Sequence, residues 1–163
     1  MDLDKINWEI LHYLQIDARL SYAEIGKRIG LTAPAVAERI RKLEAAGIIS
    51  GYHAHINPEA LGLNMMGIVA IENTRSNSDK IMELADSLPE VLTCDTLTGS
   101  SSFMMRIVAR SRTHLLAVLE KFLAYGQTST QVVLQRPVIF KPLSAEVFQE
   151  EKQEIKIDKN RHY

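Results

Sequence analysis

Residues 32 to 47 read TAPAVAERIRKLEAAG and combine a helix start, an apolar stripe and a cluster of cations. Thr32 has a hydroxyl that can cap the first free N–H groups of a helix. Pro34 then falls in the first turn, where the missing N–H of proline leaves no hydrogen bond unmade, and Gly47 ends the helix. Three apolar residues at helical spacing predict the buried side of this helix, and these are Val36, Ile40 and Leu43.

Two further helices are predicted before this one. Ser21 and Glu24 form a capping box at the start of the second helix, and Gly30 ends that helix because a residue without Cβ adopts the left-handed conformation easily. The first helix follows from apolar residues at helical spacing, which are Leu3, Ile6, Ile10, Leu11 and Leu14. Two helices joined by a tight turn with glycine, the second with an exposed basic side, are typical of a helix-turn-helix.

Positive charge is concentrated in this part of the chain. The formal net charge of all 163 residues is −1, yet residues 19–43 contain six basic and two acidic side chains. A basic patch on an otherwise neutral or acidic body indicates a protein that holds phosphates with one face. The major groove of B-DNA admits an α-helix, and small side chains at its start allow close approach to base edges. We therefore expect double-stranded DNA to be contacted by Thr32, Ala33, Pro34, Ala35, Glu38, Arg39, Arg41 and Lys42.

The same cations also fit a simpler interpretation. Arg39, Arg41 and Lys42 could form a solvated helix face. In that case Glu38 would pair with Lys42, four residues further on. The turn spacing, the two capping signals and the two basic residues at the end of the preceding helix favour DNA. Arg39 lies on the flank of the predicted helix, where an internal salt bridge explains it as well as a phosphate contact does.

A hinge is expected after the helices. Residues 48–56 read as a strand, and turn signals follow it at Asn57, Pro58 and Gly62. His53 and His55 would lie on one face of that strand. Without a third ligand they do not predict a metal site.

The pattern from residue 65 onward is β-α-β-β-α-β, which is typical of a ferredoxin-like α+β domain. The predicted strands cover residues 65–71, 91–97, 103–109 and 132–140, and the predicted helices cover 81–88 and 115–123. Both helices would lie on one face of the sheet. The other face is too apolar to be left in water, so we expect a second copy of the chain to cover it. Such a homodimer would also set the distance between two DNA-binding heads.

The helix-turn-helix stretch resembles the Lrp/AsnC family of transcription regulators. The residues that carry the resemblance are Ser21, Glu24, Ile25, Gly26, Ile29, Gly30, Leu31, Thr32, Arg39, Ile40, Leu43 and Gly47. The resemblance extends from Leu3 to about Leu143. It implies a DNA-binding head, a ferredoxin-like domain that dimerises and binds a small molecule, usually an amino acid, between subunits, and assembly up to octamers.

The resemblance also implies an effector site made of two segments. The glycine-centred hairpin of the family matches Thr98, Gly99, Ser100, Ser101 and Ser102, and its second segment matches residues 128–130, with contacts from Thr128 and Thr130. A glycine turn offers N–H groups to a carboxylate, and hydroxyls can serve an ammonium group. Ordinary turn chemistry also favours serine and glycine here. Many relatives have Asp at the position of Ser102, so an ammonium group lacks that usual partner in this chain.

Composition limits the remaining possibilities. The chain starts without a signal peptide and has no run of 18 uncharged apolar residues, so a cytoplasmic protein without membrane spans is expected. Cys94 is the only cysteine, which excludes an internal disulfide, and we expect it to be a small buried side chain. No cofactor is expected. The charged tail of residues 149–163 is expected to fray.

The expected domains are the helix-turn-helix at 1–50, a hinge strand and linker at 51–64, the ferredoxin-like domain at 65–143 and a tail at 144–163. The expected function is effector-controlled transcription regulation, without enzymatic activity. An architectural DNA-binding protein without an effector is the main alternative. A tetrapyrrole-processing decarboxylase of similar architecture is disfavoured, because those enzymes carry a histidine-centred motif where residues 93–96 of this chain read TCDT.

Overall fold

A computed structural model describes residues 3–72 and 77–148 of the chain. Its α-helices are α1 Lys5–Ile16, α2 Tyr22–Ile29, α3 Ala33–Ala45, α4 Ser78–Ser87 and α5 Arg112–Glu120. Its strands are β1 Met65–Glu72, β2 Val91–Thr96, β3 Ser101–Ala109 and β4 Gln127–Val132. Two short 3₁₀ helices lie at Glu59–Leu61 and Ala145–Phe148.

The chain divides into two compact units. One unit comprises the described residues of Met1–Ala54 and Val138–Tyr163, and the other is His55–Pro137. The first unit holds α1, α2 and α3 together with the segment that follows the sheet. The second unit holds the sheet with α4 and α5. The chain therefore passes between the units twice.

Each helix of the first unit begins at a side-chain cap. Asp4 caps α1, and Thr32 caps α3. At the start of α2 the backbone N–H of Ser21 donates to Glu24 Oε2 at 2.8 Å, and the N–H of Glu24 donates to Ser21 Oγ at 3.2 Å. This reciprocal pair confirms the predicted capping box.

The predicted apolar sides of the three helices meet in one core. Its buried residues are Ile10, Leu11, Leu14, Ile25, Val36, Ile40 and Leu43. Full burial of a large aliphatic side chain contributes roughly 1.5–3 kcal/mol. Three of these residues belong to α3, so packing of its apolar side holds that helix with its polar side outward.

The strand predicted over residues 48–56 is not formed. The N–H groups of Ile48 and Ile49 both donate to the carbonyl of Leu43, at 2.9 and 3.3 Å, and so belong to the end of α3. Residues 50–56 are exposed and pair with no strand among the residues that the structure describes. A strand is formed only with a neighbour to hydrogen-bond with, and the side-chain pattern of one segment does not show which segment it pairs with.

The four strands form one antiparallel sheet in the order β2-β3-β1-β4. Together with α4 and α5, this order confirms the predicted ferredoxin-like domain. Both helices pack on the same face of the sheet. The buried residues of that layer are Val69, Ile71, Ile81, Ala85, Leu88, Phe103, Met105, Ile107, Ala109, Leu115, Val118 and Phe122.

The opposite sheet face is formed by the alternate residues of the two central strands. Ile68 of β1 pairs with Arg106 of β3, and Ala70 pairs with Met104. Ile68 and Ala70 are half-buried, and Met104 is 38% exposed. We refer to these four residues as the open face, because no helix described for the sheet unit packs on them.

The last strand lies earlier in the chain than predicted. The prediction placed it at residues 132–140, whereas β4 ends at Val132. Its six residues pair with β1 from Gly67 to Glu72. An edge strand is exposed and tolerates polar residues, so the apolar run that follows β4 was mistaken for the strand itself.

Candidate DNA interface and effector site

The turn between α2 and α3 depends on glycine at position 26. A Cβ atom there would lie 2.4 Å from the carbonyl oxygen of Leu31. The N–H of Leu31 donates to the carbonyl of Gly26 at 2.9 Å. Gly30 follows with a φ of 72°, which is in the left-handed region that favours glycine. The close approach at Gly26 fixes how α3 leaves α2.

The polar side of α3 faces solvent, as the position of its apolar stripe predicted. The exposed members of the predicted interface are Thr32, Pro34, Glu38, Arg41 and Lys42, and the half-buried members are Ala33, Ala35 and Arg39. The small side chains near the start of the helix leave its backbone accessible. Such a helix end can approach base edges in a major groove.

Glu38 is paired with both exposed cations of α3. Arg41 Nη2 lies 2.8 Å from Glu38 Oε2, and Lys42 Nζ lies 3.6 Å from Glu38 Oε1. The side chains of Arg41 and Lys42 are 69% and 64% exposed. Exposed pairs of this kind contribute about 0–1 kcal/mol. A phosphate group can therefore replace the carboxylate at little cost, so the pairs with Glu38 oppose phosphate binding only weakly.

Arg39 has a different environment from the other cations. Its Nη1 donates to Asp4 Oδ2 at 2.7 Å and to Asn7 Oδ1 at 2.9 Å. The backbone N–H of Asn7 and then the Arg39 guanidinium hold the pKa of Asp4 below its ordinary value. Asn7 is only 4% exposed. Arg39 thus joins α3 to the start of α1, which is the internal salt bridge that the sequence had left open.

Two more cations lie at the end of α2. Lys27 and Arg28 are both exposed, next to the turn that leads into α3. The guanidinium of Arg28 is 5.1 Å from the centroid of the Tyr13 ring. A cation–π contact at an exposed site contributes about 0.5–1 kcal/mol, so it orders the side chain of Arg28 without removing its charge.

Tyr52 makes a contact that the sequence did not predict. Its hydroxyl donates to Glu44 Oε1 at 2.9 Å and connects the linker to α3. Partial burial and then the hydrogen bond to Glu44 raise the pKa of Tyr52 to about 12. The aromatic residue beside Gly51 was the only signal of this contact.

The predicted effector hairpin connects β2 to β3. The N–H of Leu97 donates to the carbonyl of Ser102 at 2.9 Å. Gly99 has a φ of 113°, and no atom lies within 4 Å of a Cβ built on it. Thr98, Gly99 and Ser100 are exposed, and Ser101 and Ser102 are half-buried.

The second predicted effector segment lies on β4, two strands from β3. Thr128 pairs with Ile71 of β1, and Ile71 pairs with Phe103 of β3. Neighbouring strands are about 4.8 Å apart, which places Thr128 roughly 10 Å from β3. Thr128 is half-buried and Thr130 is exposed. The two segments lie at the same end of the sheet with β1 between them.

Glu72 ends the strand that separates the two segments. It pairs with Ser101 on one side and with Gln127 on the other. Ser101 Oγ donates to Glu72 Oε1 at 3.4 Å. Nothing in the sequence marked Glu72, because a single glutamate after an apolar run reads as the ordinary polar end of a strand.

Cys94 is exposed, so the prediction of a buried side chain was wrong. It lies on β2, which among the described residues pairs with β3 and forms one edge of the sheet, and exposure follows from that position. Partial desolvation and then the charge of Asp95 raise the pKa of its thiol.

Neither a metal site nor a membrane-spanning helix is found among the described residues. His53 and His55 are exposed. Within residues 3–72 and 77–148, no three His, Cys, Asp or Glu side chains lie close enough to hold a metal ion. The helices in these same ranges are too short or too polar to cross a membrane. The tail of residues 149–163, which was predicted to fray, lies outside the described residues.

The fold and the exposed helix define a class of protein. A helix-turn-helix with an outward basic side, followed by a ferredoxin-like α+β domain, is the organisation of a two-part DNA-binding regulator.

Comparison with known proteins agrees with this class. Residues 3–44 match the AsnC-type helix-turn-helix domain, and residues 66–143 match the Lrp/AsnC ligand binding domain. The HTH-type transcriptional regulator LrpC of Bacillus subtilis is 33% identical over 133 residues, which cover 82% of this chain and 92% of that protein. The chain therefore belongs to the Lrp/AsnC family of transcriptional regulators.

Solved structures of relatives share the fold. The structure of B. subtilis LrpC has a TM-score of 0.82 at 31% identity, over 86% of this chain and 100% of that one. The feast or famine regulatory protein Rv3291c from M. tuberculosis, complexed with L-methionine, has a TM-score of 0.78 at 29% identity, over 84% of this chain and 95% of that one. The named relatives are transcriptional regulators, and this chain is a DNA-binding regulator rather than an enzyme.

Proposed function

We propose that this chain binds double-stranded DNA sequence-specifically, as a homodimer or a larger assembly, and that a small molecule such as an amino acid controls this binding. The observation that carries the proposal is that the cations of α3 have different environments. Arg39 is bonded inside the protein, whereas Arg41 and Lys42 are mostly exposed and held only by a weak partner. A regulator of this kind acts where the chromosome is, which for a prokaryotic cell is the cytoplasm.

The proposed DNA contacts fall into two groups. Arg41 and Lys42 hold phosphates, because exposed cations on one helix edge match the backbone of the duplex. The start of α3 approaches the bases, and its residues are Thr32, Ala33, Pro34 and Ala35. Glu38 lies between the groups, where its carboxylate can accept from a cytosine amino group.

The proposed dimer uses the open face of the sheet. Ile68 and Met104 lie there beside Ala70 and Arg106, and an apolar patch of this kind requires a cover. A homodimer supplies it and also gives the two-fold symmetry that a pair of DNA half-sites needs. In this proposal residues 1–50 carry the DNA-binding head, 51–64 the linker and 65–143 the effector domain.

The proposed effector site combines the hairpin of residues 98–102 with Thr128 and Thr130. Its position at one end of the sheet is consistent with both segments touching one ligand, once neighbouring subunits complete the site. A structural relative at 29% identity was solved with L-methionine. An α-amino acid is therefore the first class of ligand to test.

DNA binding is tested by its salt dependence. Fluorescence anisotropy with a labelled duplex would be measured over a range of salt for the wild type, Arg41→Ala and Lys42→Ala. Each variant should bind every sequence more weakly, and its salt slope should fall by about one. Lys80→Ala is the matched control, since Lys80 is an exposed cation on α4. Unchanged slopes in both α3 variants would contradict phosphate contact.

Effector control is tested by ligand response. Thermal shift with a panel of L-amino acids, followed by sizing and DNA binding with any hit, separates a regulated protein from a purely architectural one. A hit that changes DNA affinity or assembly supports the proposal, because control requires different ligand affinities for two states. If no amino acid shifts stability, assembly or DNA affinity, amino-acid control is excluded.

A further inference from the structure

An amino-acid effector is a zwitterion and needs two kinds of partner. Backbone N–H groups and hydroxyls of the hairpin can serve its carboxylate. Its ammonium group carries three N–H donors and is held best by an anion, because a charge-assisted hydrogen bond is roughly twice as strong as a neutral one. The predicted effector residues, which are Thr98, Gly99, Ser100, Ser101, Ser102, Thr128 and Thr130, include no carboxylate.

Glu72 supplies a carboxylate next to the hairpin, which is one of the two effector segments. It is the last residue of β1, the strand between the two effector segments, and it pairs with Ser101 of one strand and Gln127 of the other. Its Oε1 accepts a hydrogen bond of 3.4 Å from Ser101 Oγ. No other carboxylate in the described residues hydrogen-bonds a side chain of either segment.

The backbone at this position is irregular. The pairing of β1 with β3 changes register between Ile71 and Glu72. The extra residue is Ser102 of β3, because Ile71 pairs with Phe103 and Glu72 pairs with Ser101. β1 itself keeps its alternation through Glu72. The irregularity therefore belongs to the hairpin strand beside the Glu72 carboxylate, and such bulges are common next to functional sites.

Among residues 3–72 and 77–148, no lysine, arginine or histidine makes an ion pair with the Glu72 carboxylate, whereas Glu38, Asp4 and Glu90 are all paired. Glu72 is also half-buried, so water screens it less than a fully exposed group. A ligand ammonium group is a suitable counter-charge for such a carboxylate.

We infer that Glu72 binds the ammonium group of the effector, so that the effector must be a primary amine rather than only a carboxylic acid. This inference rests on the proposed effector site and adds the chemical group that the ligand must carry. The simplest competing role is mechanical: Glu72 would only hold the hairpin through Ser101. The substitution Glu72→Gln separates the two roles, because glutamine keeps an oxygen that accepts from Ser101 but has no charge.

The experiment measures binding of L-methionine, and of any stronger hit from the amino-acid panel, by calorimetry to the wild type and to Glu72→Gln. The matching 2-oxo acid, which has the carboxylate but no ammonium group, is tested beside each amino acid. Asp95→Asn is the matched control, since Asp95 is an exposed carboxylate on β2 of the same sheet. Circular dichroism and DNA binding without effector report that each variant is folded.

The expected result is a loss of amino-acid affinity of at least about tenfold in Glu72→Gln, since a hydrogen bond between two charged groups is replaced by a weaker one to a neutral oxygen. Asp95→Asn should bind like the wild type, and the 2-oxo acid should bind weakly to every variant. Wild-type affinity in Glu72→Gln, or equal affinity for the amino acid and its 2-oxo acid, would overturn the assignment while leaving the effector site itself intact. If the wild type binds no amino acid, the proposed function and this assignment fail together.

Discussion

Replacement of Arg39 by alanine should destabilise the helix unit, whereas replacement of Arg41 should impair DNA binding alone. The two arginines are two residues apart on one helix, and both make ion pairs. They differ in the partner that is left without its contact when the arginine is removed. Removal of Arg41 leaves Glu38, which is an exposed carboxylate in water. Removal of Arg39 leaves Asn7, whose side chain is only 4% exposed and accepts from Arg39 at 2.9 Å.

The size of the effect follows from Asn7. A buried polar group that loses its partner costs about 1–3 kcal/mol. Asp4 also loses Arg39 but is half exposed and regains water, so it adds little. We expect Arg39→Ala to lower the free energy of unfolding of the helix unit by about 2 kcal/mol. Arg41→Ala should stay within about 0.5 kcal/mol of the wild type, as surface substitutions usually do.

Trp8 provides an assay that reports on this unit alone. It is the only tryptophan of the chain, lies in α1 and packs against the helix core. Urea unfolding followed by its fluorescence should show a midpoint lower by about 1 M in Arg39→Ala. Anisotropy with labelled DNA, measured under conditions where each variant is folded, should show the larger affinity loss in Arg41→Ala.

The same contact predicts how stability depends on pH. The pKa of Asp4 is lowered in the folded state, first by the backbone N–H of Asn7 and then by Arg39. A lowered carboxyl pKa adds stability above the unfolded pKa, and this stability is lost as the pH falls through the folded value. The Trp8 midpoint of the wild type should therefore fall on acidification towards about pH 3, and Arg39→Ala should show a smaller fall because only the Asn7 contribution remains.

Two results would refute this reasoning. An Arg39→Ala protein with the wild-type urea midpoint would show that the Asp4 and Asn7 contacts do not support α3. A large drop in midpoint for Arg41→Ala would show that the exposed pair with Glu38 contributes to folding.

Three other changes test separate parts of the molecule. Gly26→Ala would place a Cβ 2.4 Å from the Leu31 carbonyl oxygen, so we expect a strongly lowered Trp8 midpoint and lost DNA binding; a normal midpoint would contradict the close turn. Gly99→Val introduces a branched side chain where φ is 113°, and it should abolish the response to an amino acid while DNA binding without effector survives, as titrations with and without the ligand would show. Ile68→Asp puts a charge on the open face of the sheet and should yield monomers by light scattering, whereas an intact dimer would place the interface elsewhere.

Local sequence signals were sufficient where the responsible interaction is itself local. The capping box at Ser21 and Glu24 connects residues three apart, and the turn at Gly26 and Gly30 lies within one short stretch. The apolar stripe of α3 likewise depends only on helical periodicity. For these reasons the helix-turn-helix and the exposure of Arg41 and Lys42 were predictable from the sequence.

Contacts between distant parts of the chain were not predictable in this way. The partners of Arg39 lie 35 and 32 residues away, so its flank position allowed an internal salt bridge but could not identify Asp4 and Asn7 as the partners. Glu72 gains its position only because β1 is the strand between β3 and β4. The position of β4 was misjudged for the same reason, since the order of strands decides which segment forms an exposed edge and which can be polar.

The helix α1 receives two of these distant contacts at its opposite ends. At its start, Asp4 and Asn7 hold Arg39 of α3. Near its end, the Gln15 side chain accepts from the Leu143 N–H at 2.8 Å and donates to the Leu143 carbonyl at 3.1 Å. β4 ends at Val132, and Leu143 lies eleven residues further along the chain. The segment from β4 to Leu143 therefore joins the two units as a second covalent connection beside the linker of residues 51–64, and its far end is hydrogen-bonded to α1.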